Sequence, residues 1–458
     1  MIDMMPDNVL LEIFDFYRVI DIYYTSPRIT WWHWQTLTKV CRRWRYIILA
    51  SPRRLGLRLH CTEYTPTKRL LDIWPPFPIT LEFFSTVTMD EKNIENAIAA
   101  LERRNRTSTI VIYDRKGSTL EKLFAVMQEP LPVLTHVGVS TQDESAPVLP
   151  ETFLGGSAPH LQSFTLHGIT FPSFPKFILS ATHINYLQLT GIPESGYVSP
   201  RVMATCLAAL PNLGSLFVGF RYPLSRHLQI NPPPLTRAVL PALTRLRFRG
   251  LSEYFEDLVT RIDTPLLERL SVAFCLDLIF DFPQLHDFVA RTENLRPFNQ
   301  AEMRFSGRRI TVILGSPPRF ALEIKYERLD WQLSSLTRIF SQQLPLLSHV
   351  EQLQISGDPW GSVGWNDPDM VSSLWLELFQ LFVAVQSLYL SEKLVLPVVA
   401  VLQDLRVTGG TAVEVLPALR NLSLEGLEPS GPVQEAIKSF VASRQLSVQP
   451  VAIQRWDR

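Results

Sequence analysis

Cysteine is scarce in this chain of 458 residues, which contains only Cys41, Cys61, Cys206 and Cys275. No two of these cysteines form a C-x-x-C pair, the spacing typical of metal or redox sites. Such scattered cysteines indicate reduced thiols, so we expect a cytoplasmic or nuclear location.

Long apolar runs and a surplus of charge are lacking as well. No run reaches the roughly 18 apolar residues that a membrane-spanning helix needs. Asp3 and Asp7 stand where a secretory signal would carry basic residues. Lysine and arginine total 44, aspartate and glutamate also total 44, and the formal net charge is zero. We therefore expect no membrane partner and no overall field that would attract nucleic acid.

Catalytic motifs are also missing from the sequence. It contains no G-x-G-x-x-G, G-x-S-x-G or H-E-x-x-H motif and no phosphate-binding P-loop. The nine histidines are dispersed, and His160 and His167 have no cysteine or carboxylate at ligand spacing. We predict that the protein is not an enzyme and has no catalytic residues, cofactor or metal site.

The first predicted helix begins near Pro6. Leu10, Phe14 and Tyr17 follow one another at i, i+4 and i+7 and make an apolar stripe, with Val9 and Ile13 beside it. Proline is favoured in the first turn of a helix, where its missing N–H leaves no hydrogen bond unmade.

A second predicted helix carries apolar residues at steps of three and four. They are Leu37, Val40, Cys41, Trp44, Ile47 and Ile48. Basic residues occupy its other face, and Pro52 ends it.

These two segments together resemble an F-box: a Met-Pro start, Leu10-Leu11-Glu12-Ile13-Phe14, and then Val40-Cys41-Arg42-Arg43-Trp44-Arg45. The connection of residues 18–34 is longer than in the common F-box. An F-box binds the Skp adaptor of a cullin ubiquitin ligase. The resemblance implies that the adaptor-binding positions are Met5, Pro6, Leu10, Leu11, Phe14, Val40 and Trp44. The alternative is that both helices only cap the array that follows.

The segment 28–58 is basic, because no acidic residue lies between Asp21 and Glu63. An anionic partner, either protein or nucleic acid, would explain this segment. The favoured explanation is a solvated helix face with cations near its C-terminus, because the rest of the chain balances the charge.

After residue 52 the chain repeats the phrase Pro-x-Leu-x-x-Leu-x-Leu. Copies occupy residues 159–166, 211–218, 241–248, 265–272 and 417–424, and a looser copy occupies 182–189. Successive prolines at 211, 241 and 265 are spaced as in leucine-rich repeats, which have one strand and one helix per unit. Apparent capping boxes at Thr88–Glu91 and Ser118–Glu121 predict helices between the strands.

The repeats are interrupted near residues 298–326, where three apolar segments predict antiparallel strands. A final helix after Gly431 and a closing strand near residues 448–453 complete the prediction. The predicted class is α/β, with an F-box-like helical domain at 1–52 and a leucine-rich-repeat-like solenoid at 53–458. The whole chain resembles the irregular F-box and leucine-rich-repeat-like proteins abundant in mushroom-forming (basidiomycete) fungi.

The residues between the leucines of each phrase are expected to share one face of the sheet. Aligning the phrases brings arginines together with aromatic residues, a combination typical of protein-binding hot spots. The predicted target-binding residues are Tyr186, Phe217, Arg245, Arg247, Arg249 and Arg269. An acidic or phosphorylated protein is the expected ligand. Chance exposure of soluble arginines would give the same pattern.

The favoured interpretation is a non-catalytic substrate receptor of a cullin-type ubiquitin ligase, acting in ubiquitin-dependent protein degradation. It would bind the Skp adaptor through the helix pair and a target protein through the repeats. Two alternatives remain open: an interaction scaffold whose helices only cap the repeats, and a nucleic-acid-binding protein that uses the segment 28–58.

Overall fold

The computed structural model describes most of the chain. The described residues are 5–18, 37–51, 57–85, 91–115, 117–221, 236–275, 282–296, 298–306, 309–325, 333, 336–340, 345–357, 368–395, 398, 416–425, 434–435, 437–438, 442 and 451–456. They divide into two compact units, Met1–Tyr197 and Val198–Arg458, here called the N-terminal and C-terminal units. The predicted boundary between a domain at 1–52 and an array from 53 stays a prediction.

The N-terminal unit alternates helices and strands. In chain order its elements are α1 (Asp7–Arg18), α2 (Arg42–Leu49), β1 (Leu57–His60), α3 (Thr67–Ile73), β2 (Ile79–Ser85), α4 (Glu91–Leu101), β3 (Thr107–Asp114), α5 (Ser118–Val126), β4 (His136–Thr141), β5 (Ser163–His167), α6 (Phe174–Ile178) and β6 (Tyr186–Ile192). Strands β1 to β6 pair in chain order, and every pair is parallel. Parallel pairing requires a crossover, which most of these connections provide as a helix.

The C-terminal unit continues the alternation. Its elements are α7 (Pro200–Ala208), β7 (Ser215–Phe220), β8 (Ala238–Val239), β9 (Arg245–Gly250), α8 (Ser252–Arg261), β10 (Ile262–Asp263), β11 (Arg269–Cys275), α9 (Pro283–Arg291), β12 (Gln300–Ser306), β13 (Arg309–Leu314), β14 (Phe320–Lys325), β15 (Gln352–Gly357), α10 (Pro368–Phe379), β16 (Ser387–Leu390), β17 (Asn421–Leu424) and β18 (Ala452–Arg455). Strands β8 and β10 form a separate small parallel pair. The α/β class and the strand–helix alternation are confirmed within each unit.

The predicted interruption near 298–326 is an antiparallel meander of three strands. Strand β13 runs antiparallel to both β12 and β14. Strand β14, the last of the three in sequence, pairs with β11, whereas β12 pairs with β15, and both of these outer pairs are parallel. The turn between β13 and β14 contains Gly315 at a φ of 87°, a conformation that favours glycine.

Both units bury the leucines and phenylalanines of the repeats. In the N-terminal unit Phe153 packs its ring against Phe124, Phe171 and Phe177. In the C-terminal unit Phe248 contacts the rings of Tyr254, Phe255 and Phe274. The alternating strand pattern puts one face of each strand into this core.

Side chains of one repeat satisfy backbone groups of the preceding or following repeat. Arg106, just before β3, donates hydrogen bonds to the carbonyl oxygens of Leu71 (2.9 Å), Pro75 (2.6 Å) and Phe77 (3.2 Å), at the end of α3 and just beyond it. Burial lowers the pKa of Arg106, and the nearby Arg103 lowers it further. The bond to Leu71 satisfies a carbonyl that the C-terminus of α3 leaves without an intrahelical partner, because Pro75 has no N–H to donate to it.

Three predictions of local structure need correction. The second helix does not run through from Leu37, because Cys41 has an extended backbone and is the N-cap of α2; its Sγ accepts from the Trp44 N–H at 3.4 Å. Ser118 is the first helical residue rather than an N-cap. Instead, the buried Asp114 carboxylate accepts from the Thr119 N–H at 3.1 Å.

The third correction concerns the closing strand, which overlaps the predicted segment but ends at Arg455, later than predicted; residues 448–450 lie outside the described residues. Thr88, the start of the other predicted capping box, lies outside the described residues. No helix in the described part of the chain is long and apolar enough to cross a membrane.

Candidate protein-binding surfaces

Strands β7, β9 and β11 place the predicted arginines on one solvent-facing surface. Residues of β9 alternate between exposed and buried, and Arg245, Arg247 and Arg249 are the exposed ones. Arg269 of β11 is also exposed and lies directly beside Arg245 in the strand register. Phe217 of β7 lies beside Arg247 on the other side. We call Phe217, Arg245, Arg247, Arg249 and Arg269 the arginine surface.

Two arginines of this surface are held by neighbours on β7. The Arg245 Nε–H donates a hydrogen bond to the hydroxyl of Ser215 at 2.9 Å, and Ser215 is itself buried. The guanidinium of Arg247 lies over the Phe217 ring, 5.2 Å from its centroid, in a cation–π contact. These contacts orient both guanidinium groups, and both arginines remain exposed.

The third arginine of β9 has room on both sides. Arg249 lies between Gly219 of β7 and Ala273 of β11 in the register, so no bulky side chain flanks it there. Among the described residues, no carboxylate forms an ion pair with any arginine of this surface. The charge of the surface is therefore available to an external anion.

Tyr186 belongs to the N-terminal unit, whereas the arginine surface belongs to the C-terminal unit. On β6 it lies beside Ser163 of β5, as the aligned phrases predict. Its hydroxyl donates to the Gln188 side-chain oxygen at 2.5 Å. Its predicted role in target binding stays a prediction.

The N-terminal helix pair, α1 and α2, is stabilised by an aromatic contact and an ion pair. The rings of Phe14 and Trp44 lie with centroids 4.7 Å apart. Arg43 forms a 2.7 Å ion pair with Asp7 and also donates to the Met5 carbonyl oxygen. The apolar stripe of α1 and the aromatic residue of α2 thus hold the two helices together.

The structure separates the predicted adaptor-binding residues by exposure. Leu10 and Phe14 are buried at 1% and 8% exposure, so they stabilise the helix pair from within. Met5, Leu11 and Trp44 are partly exposed.

Pro6 and Val40 are exposed, and Val40 retains 58% of its surface. Val9, Ile13 and Tyr46 are not among the predicted adaptor-binding residues, yet they are 40%, 45% and 73% exposed. The exposure of Val9 and Ile13 could have been suspected from the sequence, because their i, i+4 spacing makes a second apolar stripe on α1.

Part of the basic segment 28–58 is already paired. Besides the Arg43–Asp7 pair, Arg58 lies 3.6 Å from the carboxylate of Glu82, and the Arg45 Nε–H donates to the Thr38 carbonyl. Arg28, Arg53 and Arg54 lie outside the described residues. The described part of the segment is therefore less available to a nucleic acid than its composition indicates.

Comparisons with known proteins add little to this geometry. No family model matches the chain, and no curated protein matches it. Among solved structures, the leucine-rich repeat-containing protein LegL7 from Legionella pneumophila is similar at 12% identity and a TM-score of 0.31, over 84% of this chain and 97% of that one. A likeness of this extent assigns neither a family nor a function.

Across the described residues, no group of three or more His, Cys, Asp or Glu side chains could hold a metal ion.

Proposed function

We propose that this protein is a non-catalytic protein-binding receptor. Its arginine surface would hold a target protein, and its N-terminal helix pair would dock on the Skp adaptor of a cullin ubiquitin ligase. The observation that carries the proposal is the arginine surface itself. It presents four exposed arginines on two adjacent strands, without a carboxylate partner in the described residues. Arginine beside an aromatic ring is typical of protein-binding hot spots.

The docking half of the proposal rests on the F-box-like sequence and on exposed apolar side chains. Val9 and Ile13 face solvent on α1, Tyr46 faces solvent on α2, and Val40 is exposed just before α2. Apolar side chains clustered on a surface mark protein-interaction sites more often than scattered ones do. A receptor of this kind performs no chemistry itself. It acts by raising the effective concentration of the target near the enzyme that modifies it.

A scaffold without a ligase partner is the second candidate. The burial of Leu10 and Phe14 is compatible with this scaffold, because a helix pair that only caps the repeats also needs these two side chains buried. The two candidates differ in whether the exposed residues of the pair bind an adaptor.

Co-purification with a purified Skp adaptor distinguishes them. We expect the wild-type chain to capture the adaptor and Val40→Asp to lose it, since a charge would be placed in an apolar contact. The matched control is Val148→Asp, because Val148 is exposed to 54% and lies outside the helix pair. Circular dichroism should show that both variants stay folded. Absence of capture by the wild type would overturn the docking role and leave the scaffold.

A further inference from the structure

We propose that the arginine surface recognises an extended peptide segment with carboxylates at alternate positions, lying along β9. This inference rests on the proposed function, because it names the chemistry of the target that the surface would hold. The argument starts from spacing. Arg245, Arg247 and Arg249 are every second residue of one strand, so their Cα atoms are about 6.6 Å apart at the usual rise of about 3.3 Å per residue.

An extended ligand has the same spacing on its own face. Its side chains at i, i+2 and i+4 point to one side at the same interval, so three carboxylates can meet three guanidinium groups in register. A segment of five residues spans the arginines of β9. A helical ligand presents its faces at i, i+3 and i+4, about 5–6 Å apart, and does not keep this match over three contacts.

Two of the three arginines are oriented before any ligand arrives. Ser215 holds the Nε of Arg245, and the Phe217 ring supports the guanidinium of Arg247. A planar guanidinium donates two parallel hydrogen bonds to one carboxylate. Because these side chains are already restrained, less conformational entropy is lost on binding.

The charge of the surface is densest at one end. Arg269 lies beside Arg245 on the neighbouring strand, so this end has two arginines on backbones about 4.8 Å apart by strand spacing. The other end has Arg249 between two small residues. Since the whole chain is neutral, attraction of an acidic segment comes from this local cluster rather than from net charge.

The test uses three end-capped peptides of one length. The first has glutamates at positions 1, 3 and 5 separated by serines, the second has the same composition with the glutamates adjacent, and the third replaces glutamate by glutamine. Fluorescence anisotropy on the full chain, at about 0.1 M salt where the Debye length is about 10 Å, gives each Kd. We expect the alternating peptide to bind at least tenfold more tightly than the adjacent one, and the glutamine peptide not to bind.

Variants locate the site. Arg247→Glu should weaken binding of the alternating peptide more than tenfold, whereas Arg201→Glu, at an exposed position on α7, should leave it unchanged. Ser215→Ala should weaken it severalfold, because it frees Arg245 without changing charge. This positioning role predicts no change in the salt dependence of binding.

The possible failures are distinguishable. Equal binding of the alternating and adjacent peptides would overturn the extended alternating ligand and leave an acidic target. No binding of either acidic peptide, with adaptor capture intact, would overturn target binding by the arginine surface and leave the docking role. Tighter binding of a single-stranded oligonucleotide, lost in Arg247→Glu, would assign the surface to nucleic acid and overturn the peptide.

Discussion

The carboxylate of Glu256 on α8 accepts a hydrogen bond from the backbone N–H of Leu285 in the first turn of α9, at 2.9 Å. Its other oxygen accepts from the Gln284 N–H at 2.8 Å. The first N–H groups of a helix have no intrahelical acceptor, and a negative charge there is favoured by the helix dipole. One repeat therefore caps the helix of the next.

Removing this cap should destabilise the C-terminal unit. We expect Glu256→Ala to lower the free energy of unfolding by about 1–2 kcal/mol, the usual effect of losing an N-cap acceptor. Urea denaturation followed by circular dichroism measures it. Glu268→Ala is the matched control, because Glu268 is exposed. An equal effect of the two substitutions would contradict the capping role.

Arg106 should be more important for stability than its exposed neighbour Arg104. Arg106→Met removes the donor of the partly buried Leu71 and Phe77 carbonyls, which costs about 1–3 kcal/mol, whereas the Pro75 carbonyl still accepts from the Phe77 N–H. Arg104→Met breaks only the ion pair with Glu129, both of whose side chains are exposed, and such pairs contribute about 0–1 kcal/mol. Thermal unfolding of the two variants should show the larger loss for Arg106→Met, and the reverse order would refute this account.

The cysteines should differ in their reaction with an alkylating reagent. Cys41 is exposed, whereas Cys61 and Cys206 are buried. Burial raises the pKa of the Cys61 thiol to about 12 and that of Cys206 to about 11. Since the thiolate is the reactive form, only Cys41 should be labelled at pH 8 in a Cys275→Ser chain, as counted by mass spectrometry. Rapid labelling of Cys61 in the folded chain would show that its burial is wrong.

The same two thiols predict a loss of stability in alkali. Their folded pKa values lie above the ordinary 9.0, so the unfolded chain releases these protons at lower pH. The stabilisation that they contribute is fully present below pH 9 and is lost as the pH rises from 9.0 towards about 11 for Cys206 and about 12 for Cys61. Cys61→Ala should therefore flatten the decline of the melting temperature above pH 9. A decline as steep as in the wild type would contradict this origin.

Much of the strand register was predictable from sequence. The phrase Pro-x-Leu-x-x-Leu-x-Leu alternates buried and exposed positions, so aligning two phrases aligns two parallel strands. Arg245 thus lies beside both Ser215 and Arg269, as the aligned phrases require. The antiparallel strands of residues 298–326 were predictable from their apolar alternation and turn residues.

Other features depend on contacts that the local sequence does not specify. Both apolar stripes of α1 have helical spacing, so packing alone decides that Leu10 and Phe14 are buried while Val9 and Ile13 are exposed. The capping of α5 by Asp114 uses a residue from the preceding strand rather than the expected Ser118. The pairing of β14 with β11 also could not be predicted, because it joins strands that are not consecutive in the chain.

The three-strand meander has a topological consequence for everything that follows it. Two reversals of chain direction, from β12 to β13 and from β13 to β14, restore the original direction, so β14 matches β11 and β12 matches β15. A single extra strand would have reversed the polarity of every later repeat. Adding two strands is the smallest antiparallel insertion that preserves this parity, and it widens the sheet by about 10 Å at the usual strand spacing.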